Sequence, residues 1–190
     1  MKNIFIGGVA KSGKSRLAEY LHDKYNYNHI PLDYFASSFK HNLPDVGINS
    51  NIVIDKKSSE LFSLFLSRII KAMNQSSDEL FILDSAHIYP KDIVPYLDKE
   101  KWDVYFLGYQ NITAEEKLKE LEKNNKLGWT LKRTYDENIE IFNNLIDISK
   151  EMEKQCNELG VKYIDTSNGD ILKIINKEET WNYTKENILK

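Results

Sequence analysis

The segment Gly8-Val9-Ala10-Lys11-Ser12-Gly13-Lys14-Ser15 constrains this chain more than any other feature. Glycine, four residues, then glycine, lysine and a hydroxyl matches the phosphate-binding loop without a mismatch. The glycines let successive backbone N–H groups curl inward toward phosphate oxygens. A helix starting at the end of such a loop adds its positive N-terminal end. Lys14 is expected on the outer phosphates of a nucleotide, and Ser15 on Mg²⁺. Gly8, Val9, Ala10, Lys11, Ser12, Gly13 and the following Arg16 complete the expected nucleotide contacts. Lys11 either adds charge near the terminal phosphate or faces solvent. Context argues against a chance match: Lys2 to Gly8 leads in as a short buried strand. Leu17, Ala18, Leu21 and Tyr25 then follow at helical spacing.

The rest of the chain alternates the two periodicities. Strands are expected at His29–Leu32, Leu80–Leu83, Trp102–Leu107 and Val161–Asp165. Helices are expected over 58–74, from Thr113 with its capping partner Glu116, over about 134–159 up to Gly160, and around Ile171 to Ile175. On the 58–74 helix Ser63, Ser67 and Lys71 form a narrow polar stripe on an otherwise apolar surface. Strands alternating with helices imply right-handed βαβ units and a parallel sheet covered on both faces. Ligands of such folds sit beyond the carboxyl ends of the strands. At 190 residues one domain is expected, with no repeat and no Pro/Gly/Ser-rich linker. A formal charge of −3 excludes the basic bias of a dedicated nucleic-acid binder. No apolar run is long enough to span a membrane, and the N-terminal run is too short for a secretory signal. The single cysteine, Cys156, cannot form an internal disulfide, which fits a reducing cytoplasm.

Two carboxylates end strands. Asp84 closes Leu80-Phe81-Ile82-Leu83-Asp84 and either holds a water on Mg²⁺, accepts a proton from a substrate hydroxyl, or caps the next turn. Asp33 follows Ile30-Pro31-Leu32, where it either orients or deprotonates an acceptor hydroxyl or caps a helix over 34–40. Arg68 either reaches the crevice from the 58–74 helix or extends to solvent. His87 either touches the acceptor or a phosphate or is a loop histidine without a role. His22, His29 and His41 show no metal-ligand spacing. Cys156 reads as packing, Tyr105 and Tyr109 as sheet residues, and the charged run Glu115 to Lys126 as a solvated helix face.

Gly7 to Ser15, Asp33, Phe81-Ile82-Leu83-Asp84-Ser85 and Tyr163-Ile164-Asp165-Thr166-Ser167 together resemble a P-loop kinase of the nucleoside/nucleotide-kinase-like group. The similarity of layout spans nearly the whole chain, and the phosphate loop is its one highly specific motif. The resemblance implies a three-layer α/β domain over 1–190, with a five-stranded parallel sheet in the order 2-3-1-4-5. It implies ATP or GTP with Mg²⁺, and a small-molecule acceptor held near the ends of strands two and three by a helical region around 34–76. It also implies a lid around 124–133 that carries Lys126, Lys132 and Arg133, with Arg133 the preferred cation over the phosphates. Thr166 and Ser167, after strand five, are the expected base contacts. In that picture Lys14, Asp33, Asp84 and Arg133 are the catalytic set, and Ser15 and Asp84 hold the metal.

One departure narrows the acceptor. Kinases of this group that act on nucleoside monophosphates hold the second phosphate with several arginines, whose planar fork bonds phosphate oxygens in pairs. This chain has only Arg16, Arg68 and Arg133. A smaller or neutral hydroxyl acceptor fits better than a monophosphate, and oligomeric state stays open. The rival reading is a nucleotide-dependent switch with slow hydrolysis. No Asn-Lys-x-Asp guanine motif supports it.

Overall fold

The computed structural model describes residues 1–75 and 79–177. The end of the 34–76 region and the last 13 residues of the expected domain therefore lie outside the described residues. Five parallel strands form one sheet: β1 (Asn3–Gly8), β2 (Asn28–Pro31), β3 (Phe81–Ser85), β4 (Trp102–Gly108) and β5 (Lys162–Asp165). Their order is β2-β3-β1-β4-β5, as the resemblance implies. Central β1 pairs on both sides, Ile6 opposite Asp84 of β3 and opposite Tyr105 of β4. All six of its residues are buried, which is why Ile4-Phe5-Ile6 shows no polar alternation. Pro31 is tolerated because β2 is an edge strand and the proline ends it.

Alternation along β1 divides the core. Ile4 and Ile6 face α1 (Lys14–Tyr25) and α7 (Ile171–Lys177), packing with Leu17, Leu21 and Ile171. Phe5 faces the other way, toward Phe62 of α3 (Lys56–Met73), Phe106 and Phe142 of α6 (Tyr135–Leu159). Two glycines allow layers to meet closely. A Cβ on Gly7 would stand 2.1 Å from the Phe106 ring, and one on Gly108 2.1 Å from the Tyr163 hydroxyl.

The remaining helices are α2 (Asp33–Asn42), α4 (Pro90–Ile93) and α5 (Ala114–Lys123). Expected helix ends are met where side chains cap them. Thr113 with Glu116 and Thr134 with Glu137 form capping boxes, and Gly160 ends α6 in the left-handed conformation. Helix α3 starts two residues before its expected position, because the Asp55 carboxylate accepts from the Ser58 N–H at 2.7 Å. The capping reading of Asp33 is corrected. Leu32 occupies the cap position of α2, and the Asp33 carboxylate instead accepts from the Ala86 N–H at 3.0 Å. The solvated-face reading of Glu115 to Lys126 also needs correction at Lys117. Its side chain is 3% exposed, with the ammonium 4.6 Å above the Tyr109 ring and bonded to Glu120. Among the described residues no helix is long and apolar enough to cross a membrane.

Candidate active site

The loop after β1 takes the curled conformation that its glycines permit. Gly8 has φ 136° and Gly13 φ 97°, positive values that residues with side chains rarely adopt. A Cβ on Gly8 would lie 2.0 Å from the Leu107 carbonyl oxygen, so no other residue fits there. Lys11 adopts φ 64° although it is not glycine. Lys14 is 5% exposed, and its ammonium donates to the Val9 carbonyl at 2.8 Å. Burial pulls this ammonium below the ordinary lysine range, and the carboxylates of Asp33 and Asp84 oppose the shift.

Two features test whether the loop suits a polyphosphate. The Ser12 hydroxyl is buried without a hydrogen-bond partner. A buried hydroxyl is costly unless something accepts from it or donates to it. No side chain caps the first turn of α1, which leaves its leading N–H groups to an anion. Both observations fit a phosphate held in the loop.

Asp84 emerges from β3 beside the loop. Its Oδ2 lies 3.3 Å from the Ser15 hydroxyl, which donates to it, and its Oδ1 lies 2.6 Å from Nε2 of His29. Hydroxyl and carboxylate together are the oxygen pair that Mg²⁺ carried by a triphosphate takes from a protein. No cluster of three or more His, Cys, Asp or Glu able to hold a metal ion occurs among the described residues. Metal-ligand spacing in the sequence gives no sign of His29. It sits opposite Ile82, two residues short of Asp84 on the neighbouring strand. Only the pairing of β2 with β3 makes it visible.

Asp33 and His87 form the next cluster. His87 Nε2 is 3.6 Å from Asp33 Oδ1. The imidazole is nearly buried, which lowers its pKa. The charges of Lys14 and Lys40 act in the same direction, while Asp33 and a backbone hydrogen bond with Asn51 oppose it. Lys40 gives its own ammonium to the Asn51 side chain at 3.0 Å. Lys14, Asp33, Asp84, Ser15, His29 and His87 thus converge at the carboxyl ends of β1, β2 and β3.

A cleft of about 740 Å³ lies on the other side of the loop. Its walls include Ser12, Lys117, Lys126, Thr166 and Ile171. Arg16 closes one edge by pairing with Asp170 at 2.9 Å. Thr166 lines the cleft, but its hydroxyl donates to the Gly108 carbonyl. The Ser167 hydroxyl donates to Asp165 and accepts from the Asn111 N–H. Both hydroxyls therefore brace the loop after β5. The Arg133 guanidinium is exposed, donates to the Trp129 carbonyl at 3.1 Å and lies over the indole at 5.3 Å. Arg68 is exposed in a groove with Leu64, Lys71 and Tyr96, away from these clusters.

Solved structures with this arrangement exist. A shikimate kinase from Bacteroides thetaiotaomicron aligns over 97% of this chain and 98% of its own, with TM-score 0.59 and 14% identity. A shikimate kinase from Acinetobacter baumannii in complex with shikimate aligns over 100% of this chain and 96% of its own, with TM-score 0.57 and 15% identity. This chain has the shikimate kinase fold. No protein-family model and no curated protein sequence matches it. At such identities the likeness speaks for the backbone, and the chemistry rests on the residues gathered at the strand ends.

Proposed function

We propose that the protein is a kinase that transfers the terminal phosphoryl group of Mg-ATP to a hydroxyl of a small, uncharged acceptor. One observation carries this reading. Lys14, the Ser15–Asp84 pair and the Asp33–His87 pair stand together at one end of the sheet. The first members suit a donor phosphate, and the last pair suits an acceptor hydroxyl. Mg-ATP supplies the phosphoryl group, with the metal screening the charge that builds on transfer. Lys14 binds and neutralises phosphate oxygens, exchanging the Val9 carbonyl for them. The Ser12 hydroxyl finds its partner there as well. Ser15 and Asp84 hold the metal side, with His29 fixing the second carboxylate oxygen. Asp33, held by the Ala86 N–H, orients the acceptor hydroxyl and takes its proton. Transfer of this kind depends on alignment and charge neutralisation rather than on a covalent intermediate.

The acceptor class follows from where the cations are. A carboxylate or phosphate acceptor, held away from water, needs a committed positive partner. Arg16 is paired with Asp170, Arg133 lies on Trp129, Arg68 lies elsewhere, and Lys40 is bonded to Asn51. The acceptor side presents Asp33 and an imidazole that burial keeps uncharged. A polyol, sugar or nucleoside suits such groups better than shikimate, which is an acid.

The test is ADP formation from Mg-ATP against pools of nucleosides, sugars and polyols, nucleoside monophosphates, and hydroxy acids including shikimate. Acceptor-dependent turnover with a neutral pool, lost in Lys14→Ala, is expected. Turnover confined to an acid or monophosphate would overturn the acceptor class alone. No acceptor dependence in any pool would overturn the kinase reading.

A further inference from the structure

Lys11 occupies a backbone conformation that a lysine adopts only against strain. Its φ of 64° is one of three positive values among described non-glycine residues, and the other two are Asn26 and Asn125. Asparagine tolerates this region because its short side chain bonds locally, whereas lysine has no such help. Strain at a functional loop points to a use for the side chain.

The side chain reaches across to the lid. Its ammonium donates to the Lys126 carbonyl at 2.7 Å and lies 5.9 Å from the centre of the Trp129 ring. Gly128 passes close enough that a Cβ there would come within 3.0 Å of the Lys11 nitrogen. Lys11 is thereby the tie between the phosphate loop and the short 3₁₀ turn Gly128–Lys132. The tie is electrostatically poor. Partial burial pulls the pKa of this ammonium down, and the like charges of Lys117 and Lys126 act in the same direction. A polyanion in the adjoining cleft would offset the charge crowded around Lys11. Arg133, meanwhile, donates to the Trp129 carbonyl and lies over its indole on the outer surface.

We propose that Lys11 couples bound nucleotide to the lid: the ammonium that holds the Lys126 carbonyl is the one that takes phosphate, so that phosphate binding releases the 126–128 turn. This rests on the loop binding a nucleoside triphosphate, the first half of the proposed function. Lys11 exchanges a single neutral carbonyl for charged phosphate oxygens, and charge-assisted hydrogen bonds are the stronger kind. The far end of the lid stays hinged on α6, where Trp129 stacks on Phe142 at 5.7 Å and Asn138 donates to the Thr130 carbonyl at 3.0 Å.

Titration calorimetry with Mg-ATP, together with tryptophan emission, tests the proposal on the full chain. Wild type is expected to bind and to change emission, and Trp129→Phe to bind without that change, Trp102 and Trp181 remaining. Lys11→Met keeps the stem and the strained backbone while removing the charge. It should bind about tenfold more weakly and show no emission change, a charged hydrogen bond having been lost. Lys11→Gly should share both losses yet melt no lower than wild type, since glycine accepts φ 64° freely. Retention by Lys11→Met of either the affinity or the emission change would overturn the proposal. Failure of folded wild type to bind Mg-ATP would overturn the nucleotide reading itself.

Discussion

His87 stands 3.6 Å from Asp33 with its ring shut off from most solvent, and burial lowers its affinity for a proton. In the unfolded chain the imidazole titrates near its ordinary pH of about 6.5. In the folded protein it titrates lower. Between those two values the unfolded state binds more protons, so stability rises with pH through that window. Acidification below about pH 6.5 therefore destabilises the fold until His87 itself protonates. Replacing it in His87→Gln should remove this share of the acid-side loss. The difference in urea midpoint between the two proteins, followed from pH 7.5 to 5, is expected to shrink as the pH falls. A constant difference would show that His87 is not held uncharged by the fold. His29 is the complementary case. Its 2.6 Å contact with Asp84 needs no unusual spacing in the chain, only the neighbouring strand. Contacts of this kind arise through register, which is why ligand-spacing rules do not reveal them.

Helix α3 shows how far an element can be read from its pattern. The helical period of Phe62, Leu66 and Ile70 is legible, and all three are buried in the fold. The serines are not legible, because a serine every few residues looks like a polar stripe. In the fold Ser58 and Ser59 are also buried. Ser59 donates to Asp92 while accepting from the Tyr89 N–H, and Ser58 meets the backbone of Asn49. Ser63 is fully buried, and its hydroxyl finds no partner. Leaving a buried hydroxyl unpaired costs on the order of 1 kcal/mol or more. Ser63→Ala should stabilise the protein by about that amount and raise the melting temperature by roughly 2–4 °C. A fall in melting temperature would mean that the hydroxyl has a partner after all. Strands β1 to β5 and the capped helices were legible because their signals are local: apolar runs, threonine–glutamate boxes, a terminal glycine. Helix α4 and the turns Pro44–Val46 and Val94–Tyr96 carry no periodicity, and contacts with the body of the protein decide them. The same holds for the site. The loop is written in the chain, whereas the partners of Asp33, Asp84 and Lys11 depend on which elements become neighbours.

Across the whole molecule, the groups proposed to serve donor and acceptor hang from the ends of three adjacent strands, while the sheet beneath them is sealed by two apolar layers. Binding and folding are coupled in such an arrangement, because the loop exists as a site only when β1 is locked between β3 and β4. A ligand that binds only the folded state raises stability by about 2.7 kcal/mol at a hundred times its dissociation constant. For a domain of this size that corresponds to roughly 5–10 °C in melting temperature. Mg-ATP should produce such a rise in wild type. Lys14→Met removes a buried ammonium that burial already disfavours, so the unliganded variant should melt within a few degrees of wild type. It should nonetheless show no rise with Mg-ATP. Asp33→Asn leaves the phosphate loop untouched and should keep the rise while losing acceptor-dependent ADP formation. A full nucleotide shift in Lys14→Met would separate binding from the loop and remove the donor half of the mechanism. Undiminished transfer by Asp33→Asn would remove the acceptor half, and leave Asp84 as the carboxylate that receives the proton.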